Sequence, residues 1–210
     1  MILRSTAIIA AAVALALCAG QAMADPIGPN CGTCQGSIYE LLYNLTPIGS
    51  DADSTQYEIV LRINTNGYTG GGVRIDDVSF KLSPKLDGVV LLDAPGGAGD
   101  WSTALGGINA GGCAANANNG FGCTTSNDAT DATLPFAGVY EWRFVADVPT
   151  GTLFTNPFGA SLKTRYVAAG GGKVGDLVSE PITLQLIPEP GTLLLLGGGL
   201  LGIAAKRRTA

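Results

Sequence analysis

The stretch Gln56-Tyr57-Glu58-Ile59-Val60-Leu61-Arg62-Ile63-Asn64-Thr65, followed by Asn66-Gly67, decides the fold. Side chains of a strand alternate between two faces. Here Tyr57, Ile59, Leu61 and Ile63 fall on one face, with Glu58, Arg62 and Asn64 on the other. Val60 interrupts the polar face, so part of that side is expected to be covered. Asn66-Gly67 is a pair that tight hairpin turns prefer, and Gly70-Gly71-Gly72 extends the break.

Outward from this strand the same pattern recurs. In Val73 to Leu82, Val73, Ile75 and Asp77 share one parity, whereas Val78, Phe80 and Leu82 share the other. A switch at Asp76-Asp77 predicts a bulge. Upstream, Ile38 to Thr46 is bounded by Gly36 and Pro47. A helix over Ser37 to Leu45 is the rival there, but the tyrosine content favours a strand. Downstream come Gly88 to Leu92, a glycine-rich loop from Ala94 to Gly99, and Trp101 to Leu105. Gly106 to Asp131 is poor in large apolar residues and reads as a long, disulfide-held loop. Strand patterns resume at Val139 to Val148, Ala160 to Ala168 and Leu177 to Leu186, with Gly170-Gly171-Gly172 as a turn between the last two. About eight strands and no amphipathic helix predict an all-β core: a single β-sandwich, jelly-roll or immunoglobulin-like.

The two ends differ from this core. Arg4, the apolar run Ala7 to Leu17 and Ala22-Met23-Ala24 have the layout of a signal peptide, with a helical centre and cleavage expected after Ala24. A lipoprotein signal around Cys18 is the alternative, but Leu17 is too large for the residue before a lipidated cysteine. At the other end Pro188-Glu189-Pro190 precedes an apolar run from Leu193 to Ala205 and the cluster Lys206-Arg207-Arg208. As a short transmembrane helix that run would span about 20 Å against a hydrocarbon core of about 30 Å. Snorkelling basic side chains and an exported N-terminus would hold it N-out, C-in. The expected organisation is therefore a signal peptide at 1–24, one exported domain at 25–187 and a C-terminal segment at 188–210.

Pro188-Glu189-Pro190-Gly191-Thr192, the apolar run and the basic cluster together resemble the PEP-CTERM sorting signal of Gram-negative bacteria. That resemblance implies recognition by an exosortase-type membrane transpeptidase after signal peptidase has acted, and cleavage near the motif. It further implies an inner-membrane precursor, a final place at the cell surface or in the extracellular matrix, and a biofilm-forming, exopolysaccharide-producing host. Each proline disfavours helix in the residue before it, leaving an extended peptide for a protease groove. The region from Cys31-Gly32-Thr33-Cys34-Gln35-Gly36 to Asn66-Gly67-Tyr68-Thr69-Gly70 is similar to the variable passenger of some members, which carries no known activity.

Charge and composition narrow what the core can do. Four of the twelve basic residues and one of the seventeen acids lie in the end segments, leaving 8 Lys/Arg against 16 Asp/Glu. A core near −8 lacks the basic stripe that nucleic acid demands. Its four cysteines, Cys31, Cys34, Cys113 and Cys123, are even in number and bound for an oxidising compartment, so disulfides are expected. Three connectivities exist, and Cys31 to Cys34 with Cys113 to Cys123 is favoured. Cys31 and Cys34 also have the thioredoxin spacing, but only six residues separate them from the expected cleavage site, leaving no room for the strand that precedes a redox pair. Zinc would need ligands that the second pair's spacing and the absence of histidine do not supply.

The chain contains no histidine, which removes Ser-His-Asp and Cys-His catalysis. Carboxylates alone remain, and Asp76-Asp77 or Asp51 with Asp53 could serve a glycoside hydrolase only by chance pairing. No enzyme and no cofactor are expected, with structural calcium on Asp51 and Asp53 as the alternative. Gly170-Gly171-Gly172-Lys173 imitates a phosphate loop, but Val167 and Val174 occupy required positions. Asn44-Leu45-Thr46 fits the glycosylation pattern yet falls in an expected strand. Trp101, Tyr140, Trp142 and Tyr166 are either a sugar-stacking platform or, given the period-two stripe Tyr140, Trp142, Phe144, core. The expected function is a structural or adhesive envelope protein, with a carbohydrate-binding module for exopolysaccharide as the alternative.

Overall fold

The computed structural model describes residues 26–44, 46–83, 85–109, 112–114, 120–127, 137–150, 160–170 and 172–187. The expected signal helix and transmembrane helix lie outside these residues. No helix among the described residues is long and apolar enough to cross a membrane. Ala24–Leu186 form one compact unit.

The protein is built of strands: β1 (Ile38–Tyr43), β2 (Gly49–Ser50), β3 (Ser54–Asn64), β4 (Arg74–Lys81), β5 (Gly88–Asp93), β6 (Trp101–Leu105), β7 (Gly107–Asn109), β8 (Gly112–Ala114), β9 (Phe121–Ser126), β10 (Val139–Pro149), β11 (Ala160–Val167), β12 (Lys173–Ile182) and β13 (Leu184–Leu186). A single 3-10 turn at Ala98–Asp100 is the only helix among the described residues. One sheet runs β13-β1-β3-β10-β5, with β2 beside β3; the second runs β12-β11-β4-β9-β6. All pairings are antiparallel except β1 with β13, which is parallel. The hairpin β7-β8 forms a separate two-stranded sheet.

The alternation in β3 is used as expected. Tyr57, Ile59, Leu61 and Ile63 are buried, and so is Val60 on the opposite face, set between Leu42 and Arg143. Glu40, Arg62 and Glu141 stand across β1, β3 and β10, where Arg62 bonds both carboxylates. Aromatic contacts join the two larger sheets: Phe80 of β4 meets Phe144 of β10 at 5.0 Å between centroids, and Trp101 of β6 meets Trp142 at 5.5 Å, edge to face. Toward the other edge Tyr39 and Tyr166 place their hydroxyls 2.5 Å apart, and Tyr166 donates to Ser37. Burial, with the Tyr166 hydroxyl second, pushes the Tyr39 phenol well above its ordinary range.

The bulge lies where the parity breaks. Asp77 pairs with Arg165 and Ile75 with Tyr166, so Asp76 is the extra residue in β4. Ser37 to Leu45 is strand over Ile38–Tyr43, not helix. That strand ends before the glycosylation pattern: Asn44 lies just past it, outside regular structure, and its Oδ1 accepts from the Thr46 amide at 3.2 Å. Ala169 and Gly170 form a turn here, and the Ala168 amide donates to the Gly172 carbonyl.

The expectation of a long loop over Gly106 to Asp131 is corrected, because β7, β8 and β9 lie inside it. β9 is an interior strand between β4 and β6, although its sequence is Phe-Gly-Cys-Thr-Thr-Ser. Its neighbours supply the bulk. A Cβ on Gly122 would meet Val89 at 2.9 Å and the Phe80 ring at 3.1 Å, so the small residue is demanded by close approach. Thr124 donates to the Ser102 carbonyl.

Both favoured cysteine pairs are bonded in the structure, Cys31 to Cys34 and Cys113 to Cys123. The second ties β8 to β9 across ten positions. Replacing Cys113 and Cys123 together by serine is expected to lower stability by about 2–3 kcal/mol, through the loop entropy returned to the unfolded chain. Denaturant midpoints of the oxidised protein and the double variant check this.

Candidate functional site

The outer face of the second sheet carries three cross-strand rows: Arg165, Asp77 and Thr125; Lys163, Ser79 and Cys123; Ser161, Lys81 and Phe121. The β7-β8 hairpin lies against this face, held by the Cys113–Cys123 disulfide and by the Cys113 amide, which donates to Asp77 Oδ1 at 3.2 Å. Gly112 has φ +109°, and a Cβ there would come within 3.3 Å of both Asp77 and Arg165, so the hairpin tip needs glycine twice over.

Because the bulge turns Asp76 and Asp77 toward the same partner, one guanidinium serves two carboxylates. Arg165 donates from Nε and Nη2 to the two oxygens of Asp76 at 3.0 and 2.8 Å, while its Nε lies 2.5 Å from Asp77 Oδ2. Asp77 is fully buried. Burial pushes its carboxyl up to about 6, with Asp76 adding to the rise and the Thr125 hydrogen bond and Arg165 opposing it. The pair that sequence could offer to a hydrolase is thus closed over by a hairpin and consumed by a cation, an arrangement that clamps β4 to β11.

The other carboxylate pair serves a turn. Asp51 Oδ1 accepts from the Asp53 amide at 2.9 Å, the Ser54 amide at 2.7 Å and the Ser54 hydroxyl at 3.1 Å, and these bonds hold its carboxyl below the ordinary range. Among the described residues no group of three His, Cys, Asp or Glu side chains is placed to hold a metal ion.

The Cys31–Cys34 turn docks on β12. Thr33 donates through its amide and hydroxyl to Glu180 at 3.1 and 2.6 Å, and the Ser179 amide donates back to Thr33. A carboxylate seated on this turn disfavours a thiolate, the species that redox exchange needs.

Of the two readings of the aromatics, the structure has the core and not the sugar-stacking platform. Trp142 is fully buried, Trp101 is 7% and Tyr166 1% exposed, and Tyr140 is half-buried against the core. Their faces are spent on one another and on Tyr68, which stacks on Tyr166 at 4.5 Å, and the Trp101 indole donates to the Pro95 carbonyl.

The signal-cleavage residues Ala22 and Ala24, the motif Pro188, Glu189 and Pro190, and the cluster Lys206, Arg207 and Arg208 lie outside the described residues. The described chain reaches Ile187, just beyond β13, whose Leu184, Gln185 and Leu186 pair with Leu41, Leu42 and Tyr43. Residues 186–208 match the family model of the PEP-CTERM protein-sorting motif. The chain carries a PEP-CTERM sorting signal. It marks an exported, sorted protein. The PEP-CTERM chain matches none of the curated proteins by sequence. Among solved structures it is similar to the major pilin subunit of Bacillus cereus, at 12% identity and a TM-score of 0.31, over 70% of this chain and 41% of that one. It is likewise similar to a three-domain backbone pilin of Streptococcus pyogenes, at 12% identity and a TM-score of 0.28, over 71% and 35%. The PEP-CTERM chain thus spans less than half the length of either.

Sequence reasoning located the parity break at Asp76-Asp77 but not its partner, 89 positions away. It also missed the β7-β8 hairpin and the meeting of Lys81 and Lys163 on Phe121. Only the cysteine spacing hinted that the region around the hairpin was held to the sheet.

Proposed function

We propose that this protein is a non-enzymatic structural or adhesive passenger, delivered to the cell surface or extracellular matrix through its C-terminal PEP signal. Signal peptidase removes residues 1–24, the apolar run 193–205 with Lys206 to Arg208 holds the precursor in the inner membrane, and an exosortase cuts near Pro188-Glu189-Pro190. The two larger sheets act as one β-sandwich of jelly-roll or immunoglobulin-like kind, a rigid unit stapled by two disulfides. The observation that carries this reading is the sorting motif at 186–208. The core supports it in kind, since the carboxylates and aromatics that catalysis or sugar stacking would use are engaged in holding strands together.

The test is transfer. An unrelated exported reporter carrying residues 186–208 at its C-terminus, produced in the native host, is expected to be shortened and sorted as the native protein is. Release or membrane retention of the uncut fusion would contradict the reading.

A further inference from the structure

Lys81 and Lys163 differ from the three arginines that are ion-paired across the sheets. Arg62 is bonded to Glu40 and Glu141, Arg143 to Glu58, and Arg165 to Asp76 and Asp77. The two lysines instead converge on one ring, with Nζ atoms 5.6 and 5.3 Å from the Phe121 centroid. Among the described residues no carboxylate lies within ion-pairing reach of either, in a core where acids outnumber bases two to one. Register explains the convergence: Lys81 stands directly opposite Phe121, and Lys163 is one row along on the neighbouring strand. Lys85 is brought to the same end of the sheet, where its stem packs on Gly120 so closely that a Cβ there would lie 2.5 Å from it.

A second observation points to the same place. Ser79 is fully buried in the row between Lys163 and Cys123, and its Oγ has no hydrogen-bond partner. Two ammonium groups drawn to one ring repel each other, offset in part by the ring. The buried hydroxyl without a partner is the costly group, and an external oxyanion would satisfy it together with the two partly exposed ammonium groups.

We propose that Lys81, Lys163 and Ser79 form a binding site for the carboxylate groups of an acidic polysaccharide. A carboxylate seated between the lysines accepts from both ammonium groups and, as their stems part, from the Ser79 hydroxyl. Phe121 fixes the lysines from beneath. Two partly exposed contacts are weak singly, so the ligand gains its affinity by repetition along a chain. A uronic-acid polysaccharide offers one carboxylate per sugar to a seat of two lysines, whereas nucleic acid demands the basic stripe that this core lacks. This assignment deepens the adhesive reading and rests on it for its biological use, whereas binding itself is measured apart from sorting.

The experiment uses the exported protein recovered from its host, immobilised and exposed to polygalacturonate, neutral dextran of similar length, and monomeric galacturonate. Expected are saturable binding of polygalacturonate that weakens with salt, no binding of dextran, and only weak binding of the monomer. Replacing both lysines by glutamine (K81Q with K163Q) should weaken polygalacturonate binding about tenfold, whereas arginine at both positions should retain it. An unchanged melting midpoint in the glutamine variant ties the loss to the site. Binding unaltered in that variant, equal binding of dextran, or monomer held as tightly as polymer would each overturn the assignment. A sorting failure in the host with binding intact would instead count against the passenger reading.

Discussion

Replacing Arg165 by methionine is expected to destabilise the protein by about 3–5 kcal/mol at neutral pH, the cost of leaving buried carboxylates without their cation. The loss should be smaller at pH 5 than at pH 8. In the native protein burial raises the Asp77 carboxyl to about 6, so between its unfolded value near 4 and that point the folded state holds the extra proton. The contribution of this group is therefore fully present below about pH 4 and is lost as pH rises through 6. Without Arg165 an influence that keeps Asp77 ionised disappears and its carboxyl climbs further. The window of loss then extends upward, and the deficit grows with pH. Asp77→Asn is the control. It preserves an acceptor for the Cys113 amide, leaves Arg165 bidentate on Asp76, and should cost far less while flattening the pH dependence between 4 and 6. Denaturant unfolding at the two pH values reads both effects. A deficit for Arg165→Met below about 1 kcal/mol, or one that shrinks as pH rises, would deny the cluster its clamping role.

Removing Lys206 to Arg208, or changing Glu189 to glutamine, is expected to abolish processing in the native host. In the proposed route the basic cluster acts as the stop for a run that would span only about 20 Å as a helix; without it, the precursor should either slip through or fail to orient. Glu189 lies between two prolines that impose extended backbone on their neighbours, and its charge is the distinctive chemistry a protease pocket can read there. The basic-cluster deletion should change where the uncut chain is found, whereas Glu189→Gln should leave it uncut in the membrane. Wild-type processing in both would remove the basis for an exosortase substrate.

Local physics made the strand inventory legible before the structure. Period-two alternation identified β3 and β10 within a residue or two, and the parity break in β4 located a bulge. The hidden parts are those where neighbours supply what the segment lacks. β9 has little bulk of its own because Phe80 and Val89 fill the space above Gly122. The aromatic stripe Tyr140, Trp142, Phe144 was ambiguous between platform and core, since periodicity says which residues share a face but not what covers it. Arg165 and Lys163 acquire meaning only through the register that sets β11 beside β4. The sorting segment is the opposite case, read from a motif, an apolar length and a basic cluster that are contiguous in sequence.

Intact mass spectrometry of the protein recovered from its native host tests the central claim most directly. The account predicts one mass that lacks residues 1–24, ends near Pro188-Glu189-Pro190 and lacks the hydrogens of four thiols. A mass that retains residues 193–208 at the cell surface would contradict it.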